Sequence, residues 1–327
     1  MELSPFKSAA MALCALLLSG QSVASESLWL SDVSPHAGHG GGAHSHGGPV
    51  QIRKGIYYKH LWLRLGDTPQ DSGYVQQASQ LSQLVLLDTE GKVTELPIRR
   101  DKEHGLFNVD FAMPKEGFYN AYVTHQWVNG DTREVQIAKA EVLKHSCREG
   151  HDNVQEKMPP RHDTAIPLEI VRERAPKENF HSLLAYGDTA TFLVLREGQP
   201  LQGAKVTLTS SQGWSKSVTS DSEGLVHYTM IRDYYPRWSM FNKRYSQPYL
   251  VSAVYTASES GELDGKSYQH TTYQASFAGN YYPSPRDYES YAYGLSFGLF
   301  ALIATGIGVY VYRRRRNRPF REVRFDE

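Results

Sequence analysis

Short runs in which apolar and polar positions alternate fill most of the chain between residues 51 and 280, and that period predicts strands and not helices. Gln51 to Leu65 (QIRKGIYYKHLWLRL) predicts one long strand, or a strand with a bulge near Gly55. Leu81 to Ile98 predicts a hairpin that turns at Thr89-Glu90-Gly91-Lys92, and Gly105 to Met113 sets Phe107, Val109 and Phe111 on one face. Phe118 to Val128 and Arg133 to His145 complete a first group of about six strands. From Ser146 to Pro167 the pattern lapses into charged residues and prolines with no apolar run, which predicts a linker. A second group follows in Leu168 to Val171, Thr191 to Leu195, Ala204 to Thr209, Lys216 to Thr219, Leu225 to Ile231, Tyr249 to Ala257 and Tyr268 to Phe277. The fold class expected is therefore all-β, with two Ig-like antiparallel β-sandwich domains at 51–147 and 167–280 joined by 148–166.

Two continuous apolar stretches break the alternation, one at each end. Near the start, Lys7 precedes Ala9 to Leu18, and small residues follow through Ser25, the layout of a secretory signal over residues 1–25. Near the finish, Ala292 to Tyr312 runs without a charge and as a helix spans roughly 30 Å, one hydrocarbon core. Tyrosines flank that stretch, and Arg313 to Arg316 open a basic tail over 313–327. The expectation is a single C-terminal transmembrane helix in a bacterial inner membrane, with the bulk of the chain in the periplasm and the tail in the cytoplasm. Residues 281–291, rich in Tyr and Pro, predict a short stiff connector. Within the helix Gly294, Gly298, Ala301, Thr305 and Gly308 form one small-residue stripe, suited to close approach of a membrane partner such as a transporter subunit.

Composition adds two constraints. Among the 327 residues there are 21 Tyr, 12 Phe and 5 Trp, which fits β structure, and the formal net charge is zero, which leaves no overall basic footprint for nucleic acid. The mixed cationic and aromatic run Ile231 to Tyr245 fits a protein or membrane contact better than nucleic acid, given export. With Cys14 removed alongside the signal, Cys147 is the sole thiol and no internal disulfide forms.

Chemistry concentrates in residues 26–50, expected to be a His-rich flexible segment. His36, His39, His44 and His46 stand among glycines and nothing larger than alanine, so no core orders them, whereas an ion held by neutral imidazoles does. All-imidazole ligation suits Ni(II), Co(II), Cu(II) and Zn(II). A secondary candidate is His145, Cys147 and His151, with His162 beyond. His60 and His125 sit in strand patterns and are expected to pack. No nucleophile elbow, zincin helix, phosphate loop or dinucleotide fingerprint occurs, and no enzyme activity is expected.

The run Phe192 to Leu208, with Gly198-Gln199-Pro200-Leu201-Gln202-Gly203-Ala204-Lys205-Val206, followed by Thr219-Ser220-Asp221-Ser222-Glu223-Gly224, forms a strand, a G-x-P-L-x-G-A-x-V turn and a T-x-D-x-x-G return. Together with the signal, the histidines and the membrane helix, it resembles the periplasmic accessory components of nickel and cobalt uptake, the NikK-like proteins that accompany energy-coupling-factor ABC transporters. The resemblance covers most of residues 26–312. It implies capture of a divalent transition metal as cargo, Ni or Co, and delivery to a membrane transporter. Two alternatives stand beside it: a copper- or zinc-handling chaperone using Cys147, and an envelope adhesion or assembly protein with incidental histidines.

Overall fold

A computed structural model describes residues 26–35, 50–78, 81–146, 154–234, 246–317 and 325. The expected signal at 1–25, and His36, His39, His44, His46, Cys147 and His151, lie outside the described residues.

In chain order the strands are β1 (Leu28–Ser31), β2 (Val50–Arg53), β3 (Ile56–Leu65), β4 (Gly73–Tyr74), β5 (Leu84–Leu87), β6 (Val93–Leu96), β7 (Arg99–Arg100), β8 (Phe107–Met113), β9 (Gly117–Asn129) and β10 (Thr132–Lys144). A short helix α1 (Val154–Lys157) follows. Then come β11 (Glu169–Glu173), β12 (Thr189–Arg196), β13 (Gln199–Pro200), β14 (Lys205–Ser210), β15 (Ser215–Thr219), β16 (Leu225–Thr229), β17 (Gln247–Ala257), β18 (Gly261–Leu263), β19 (Lys266–Tyr268), β20 (His270–Tyr281) and the long helix α2 (Pro285–Arg316). The all-β, sandwich-type class with one C-terminal helix is what the sequence patterns predict.

The sheets are joined more closely than the sequence suggests. One sheet runs β1-β3-β8-β7, another β11-β12-β13 with β16 on β12, and between them lies an eight-stranded sheet in the order β15-β14-β17-β20-β10-β9-β5-β6. Its seam is a parallel pairing of β10 with β20, from Thr132↔His270 to Ala140↔Ala278. The two sandwiches thus share one central sheet and are not separate beads on a linker. Alternation along β10 explains how a single strand serves both. Ala138, Ala140 and Val142 pack with Leu61, Leu63, Val109 and Phe111 on one face. Val135 and Ile137 pack with Ile170, Phe192, Val194 and Phe277 on the other.

Several boundaries also shift. Leu28, Trp29 and Leu30 are buried in β1, so the folded body begins inside the stretch expected to be a His-rich tether. Their apolar side chains gain more by joining the sheet than by staying in solvent. The bulge expected near Gly55 is a hairpin turn, because Lys54 and Gly55 both adopt positive φ (51° and 81°), the two-residue geometry that matches strand twist. The expected linker is partly core, with Met158 and Ile166 buried. The expected connector 281–291 is mostly the first turns of α2. Pro285 occupies the first helical position, and the Ser284 hydroxyl accepts from the Arg286 N–H at 3.3 Å. Helix α2 carries one candidate span, Glu289–Arg316, whose most apolar stretch is nowhere buried in the protein, as single-pass anchoring requires.

A buried polar cluster links the central sheet to the third one. Lys139, on β10, donates to Glu169 Oε1 at 2.7 Å and to the Ile170 carbonyl at 3.0 Å, and both charged side chains are 1% exposed. Tyr122 also donates to Glu169 Oε1 at 2.7 Å, and the Asp163 N–H to Oε2 at 3.2 Å. Burial, and then the Glu169 charge, push the Tyr122 phenol well above its ordinary pKa, so it remains a donor.

Close backbone approach is needed at Gly279, where a Cβ would overlap the hydroxyl and Cζ of the buried Tyr249. Gly279→Ala is therefore expected to destabilise the protein by about 1–3 kcal/mol, read as a lower denaturation midpoint, because the added methyl forces the packed ring out of place. An unchanged midpoint would show that Tyr249 repacks without strain.

Candidate functional site

Strand β3 shows where the histidine-rich residues attach. β8 pairs with β3 over residues 57–62, so any other strand bonded to the same residues must lie on the opposite edge. Both β1 and β2 do. Leu28 to Ser31 pair with Leu65 to Trp62, and Val50 to Arg53 pair with Lys59 to Ile56, each antiparallel to β3. They are two halves of one edge strand, interrupted opposite His60 and Leu61. Residues 32–49 are an insertion in that strand. Its ends are held about three residues apart along β3, roughly 10 Å at strand spacing.

The stem of the insertion is fixed by polar contacts. Lys59 Nζ lies 3.3 Å from Asp32 Oδ2, the Tyr74 hydroxyl donates to the Val33 carbonyl at 3.0 Å, and the Val33 N–H donates to Ser31 Oγ at 3.1 Å. On the outer face of β3, His60 sits directly opposite the interruption, its ring 4.7 Å from that of Trp62. Burial is the main cause that lowers its pKa; the nearby Arg53 and Arg99 act in the same direction and Asp110 opposes them. The imidazole is accordingly neutral. Its cross-strand partner is Asp110, which takes a hydrogen bond from Arg53 at 2.9 Å and faces Arg99 at 3.5 Å. His60 Nε2 and Asp110 Oδ1 are both buried without a hydrogen-bond partner. The pairing of His60 with Asp110 depends on strand register, which alternation within one strand does not reveal.

His145, at the end of β10, is half-buried between Glu116 and two rings. Its Nδ1 lies 3.4 Å from Glu116 Oε1, and its ring is 4.7 Å from His181 and 5.2 Å from Phe180. His181 and Glu116 are the neighbours that sequence reasoning did not connect to it. Among the described residues, no group of three or more His, Cys, Asp or Glu is placed to hold a metal ion. His125 stacks on Trp127 at 4.7 Å.

A cavity of about 660 Å³ lies where the central sheet forks. Pairing between β10 and β20 stops at Ala140↔Ala278, yet both strands run on, and Glu141, Val142, Gly279 and Asn280 line the gap. Its rim includes Asp32, Val33 and Val50, the stem of the insertion. Around Tyr249, whose phenol burial pushes up to about 12, stand Arg172, Glu141, Arg174 and Glu178. Arg174 pairs with Glu141, donates to the Met158 carbonyl at 3.2 Å and lies 3.7 Å over the Phe118 ring. Arg172 pairs with Glu178 at 2.9 Å.

In the membrane helix, Gly294, Gly298 and Gly308 have open space where a Cβ would stand. Ala301 and Thr305 are exposed like the rest of the span.

No family model matches the chain, and no curated protein matches it. Among solved structures, a tetra-tandem repeat from the extending region of a large adhesion protein shares 10% identity at a TM-score of 0.22, over 80% of this chain and 50% of that one. A bacterial ice-binding adhesin shares 10% at 0.19, over 69% and 58%. A two-domain fibronectin type III segment of chicken tenascin shares 11% at 0.18, over 71% and 96%. This chain therefore spans about half the length of the first of these structures, and at such TM-scores the likeness carries no argument about function.

Proposed function

We propose that the protein is an envelope-anchored accessory protein that captures a divalent transition metal, Ni or Co foremost, at His36, His39, His44 and His46 and passes it to a membrane transporter through its helix. The observation that carries the reading is the interrupted edge strand. An insertion with four imidazoles has both ends fixed on β3, so ligation orders a chain already closed at its base. Closure done by the fold lowers the entropy lost on binding compared with a free tail. The neutral His60, directly under the interruption, is chemically suited to the same cargo. Under this reading α2 crosses the inner membrane with Arg313 to Arg316 on the cytoplasmic side, as the positive-inside rule favours.

Calorimetric titration of the detergent-solubilised full chain with Ni, Co, Cu and Zn tests the proposal. Joint replacement of His36, His39, His44 and His46 by Ala is expected to weaken binding at least about 10-fold, the loss of about 1.4 kcal/mol or more. Equal affinity in the two proteins would refute the site. Since only neutral imidazole coordinates, affinity is expected to fall as pH drops through about 6.5.

A further inference from the structure

The strand directions decide which end of the body lies next to the membrane helix. Only residues 282–284 separate β20 from α2, and the Tyr282 N–H donates to the Leu184 carbonyl at 2.8 Å, so the helix starts close to the end of β20. The candidate span begins at Glu289, about one helical turn beyond Pro285, which leaves the end of β20 within about 20 Å of a bilayer that α2 crosses. The β2–β3 hairpin reaches the same end. β8 runs antiparallel to β3 and finishes at Met113 opposite Tyr57, β9 starts at Gly117 opposite Lys144, and β10 runs parallel to β20. Lys144 Nζ lies 5.2 Å from the centre of the Tyr57 ring and donates to the Pro114 carbonyl at 3.0 Å, which ties the base of the hairpin to the end of β10. The tip at Lys54 and Gly55 projects beyond that base.

Exposed apolar side chains gather at this end. Outside α2 and its tail, eight large apolar side chains among the described residues are strongly exposed. Ile52 and Ile56 flank the hairpin turn, Val93 opens β6 next to the start of β9, and Leu183 adjoins the Leu184 carbonyl that holds Tyr282. Val33 and Val50 stand just behind them on the rim of the fork cavity. Leu65 and Val254 are the two toward the other end. Ile52, at 63%, is the most exposed of the eight. Cations accompany the group, with Lys54 at the turn and Lys92 beside Val93 both exposed. Arg53 instead holds the hairpin in place, through Asp110 at 2.9 Å and Gln51 at 2.6 Å. Apolar residues scattered singly over a surface are ordinary, whereas their grouping at one end beside cations marks a contact surface.

We propose that this end of the body rests on the lipid surface, with Ile52 and Ile56 entering the bilayer interface and Lys54 and Lys92 meeting headgroup phosphates. Aliphatic side chains on a fixed hairpin gain by leaving water for the headgroup and acyl boundary, and the lysines keep their ammonium groups among the phosphates above it. The bilayer is the partner that α2 holds within reach at all times, so even a weak surface affinity is sufficient for contact. The inference rests on α2 crossing a membrane and is independent of metal capture. A second point of contact stops the body from swinging about α2 and fixes the height of β3, and so of both ends of the insertion, above the membrane.

The test places the full chain, one copy per disc, in lipid nanodiscs of phosphatidylethanolamine and phosphatidylglycerol. Ile52→Cys, Lys266→Cys or Leu302→Cys, each with Cys14→Ser and Cys147→Ser, carries an environment-sensitive fluorophore, and a lipid with a nitroxide near its headgroup quenches whatever lies in the interface. Lys266, on the β18–β19 hairpin before β20, reports the far end, and Leu302 reports the membrane helix. Quenching at position 52 is expected to exceed that at 266 at least about 3-fold. Ile56→Asp with Lys54→Glu, both at exposed positions, is expected to cut the quenching at 52 about 3-fold and to leave that at 302 unchanged. Quenching at 302 with none at 52 would overturn the proposal and leave the anchor standing. Absence of quenching at 302 would remove the anchor and the proposal together. Quenching at 52 that appears only with two copies per disc would make a second chain the partner, and the lipid contact would fall.

Discussion

Lys139→Met lowers the stability of the protein by about 3–5 kcal/mol, because it strands the Glu169 carboxylate in a site where both partners are 1% exposed. Methionine fills much of the lysine volume, so packing loss is the smaller part. Glu169 keeps only the Tyr122 hydroxyl and the Asp163 N–H, neutral donors that do not offset a buried charge. Denaturant titration of the detergent-solubilised chain, followed by tryptophan fluorescence, measures the loss. Lys139→Met with Glu169→Leu removes both charges and is expected to recover more than half of the loss. A double variant no better than the single would mean that the cluster holds the sheets together through geometry and not through charge compensation.

Little of that cluster was legible beforehand. Along β10, alternation sets Lys139 on the face of Val135 and Ile137, yet nothing in the strand itself shows what partners a charge there. The partner comes from β11, whose Glu169 carboxylate and Ile170 carbonyl accept from the ammonium, from beyond the expected linker. The strand itself was legible, since Arg133 to His145 has the right period and β10 spans Thr132–Lys144. Its parallel partner β20 was not, because periodicity specifies which way side chains point and says nothing of which distant strand lies alongside. The turn at Asp221 and Gly224 was readable, for Gly224 takes φ 75° and the Asp221 side chain accepts from the Glu223 and Leu225 N–H groups. At the candidate site the four histidines were visible as composition. That they interrupt a strand was hidden by the short length of β1, four residues next to a signal-like stretch.

Removing the insertion is the sharper experiment on that strand. Ser31 pairs with Trp62 and Val50 with Lys59, so two residues suffice to join the halves opposite Leu61 and His60. A chain in which two residues replace 32–49 is expected to fold with the edge of β3 continuous. Shortening the connection favours the folded state by roughly 2 kcal/mol on loop-closure entropy. Loss of the Lys59–Asp32 pair and of the Tyr74 hydrogen bond acts against it, about 1–2 kcal/mol together, with Lys59 left in a largely buried position. The net change is therefore small, within about 1 kcal/mol of the parent in denaturant titration. Metal binding, by contrast, should disappear, since the excised chain keeps His60, Asp110, His145 and His181 but none of the insertion's imidazoles. Retained metal affinity would move the site to those fixed residues. A chain that fails to fold would show that the insertion itself completes the edge of the sheet. Stability kept and binding lost together would separate the scaffold from its cargo site, as an insertion in a single strand requires.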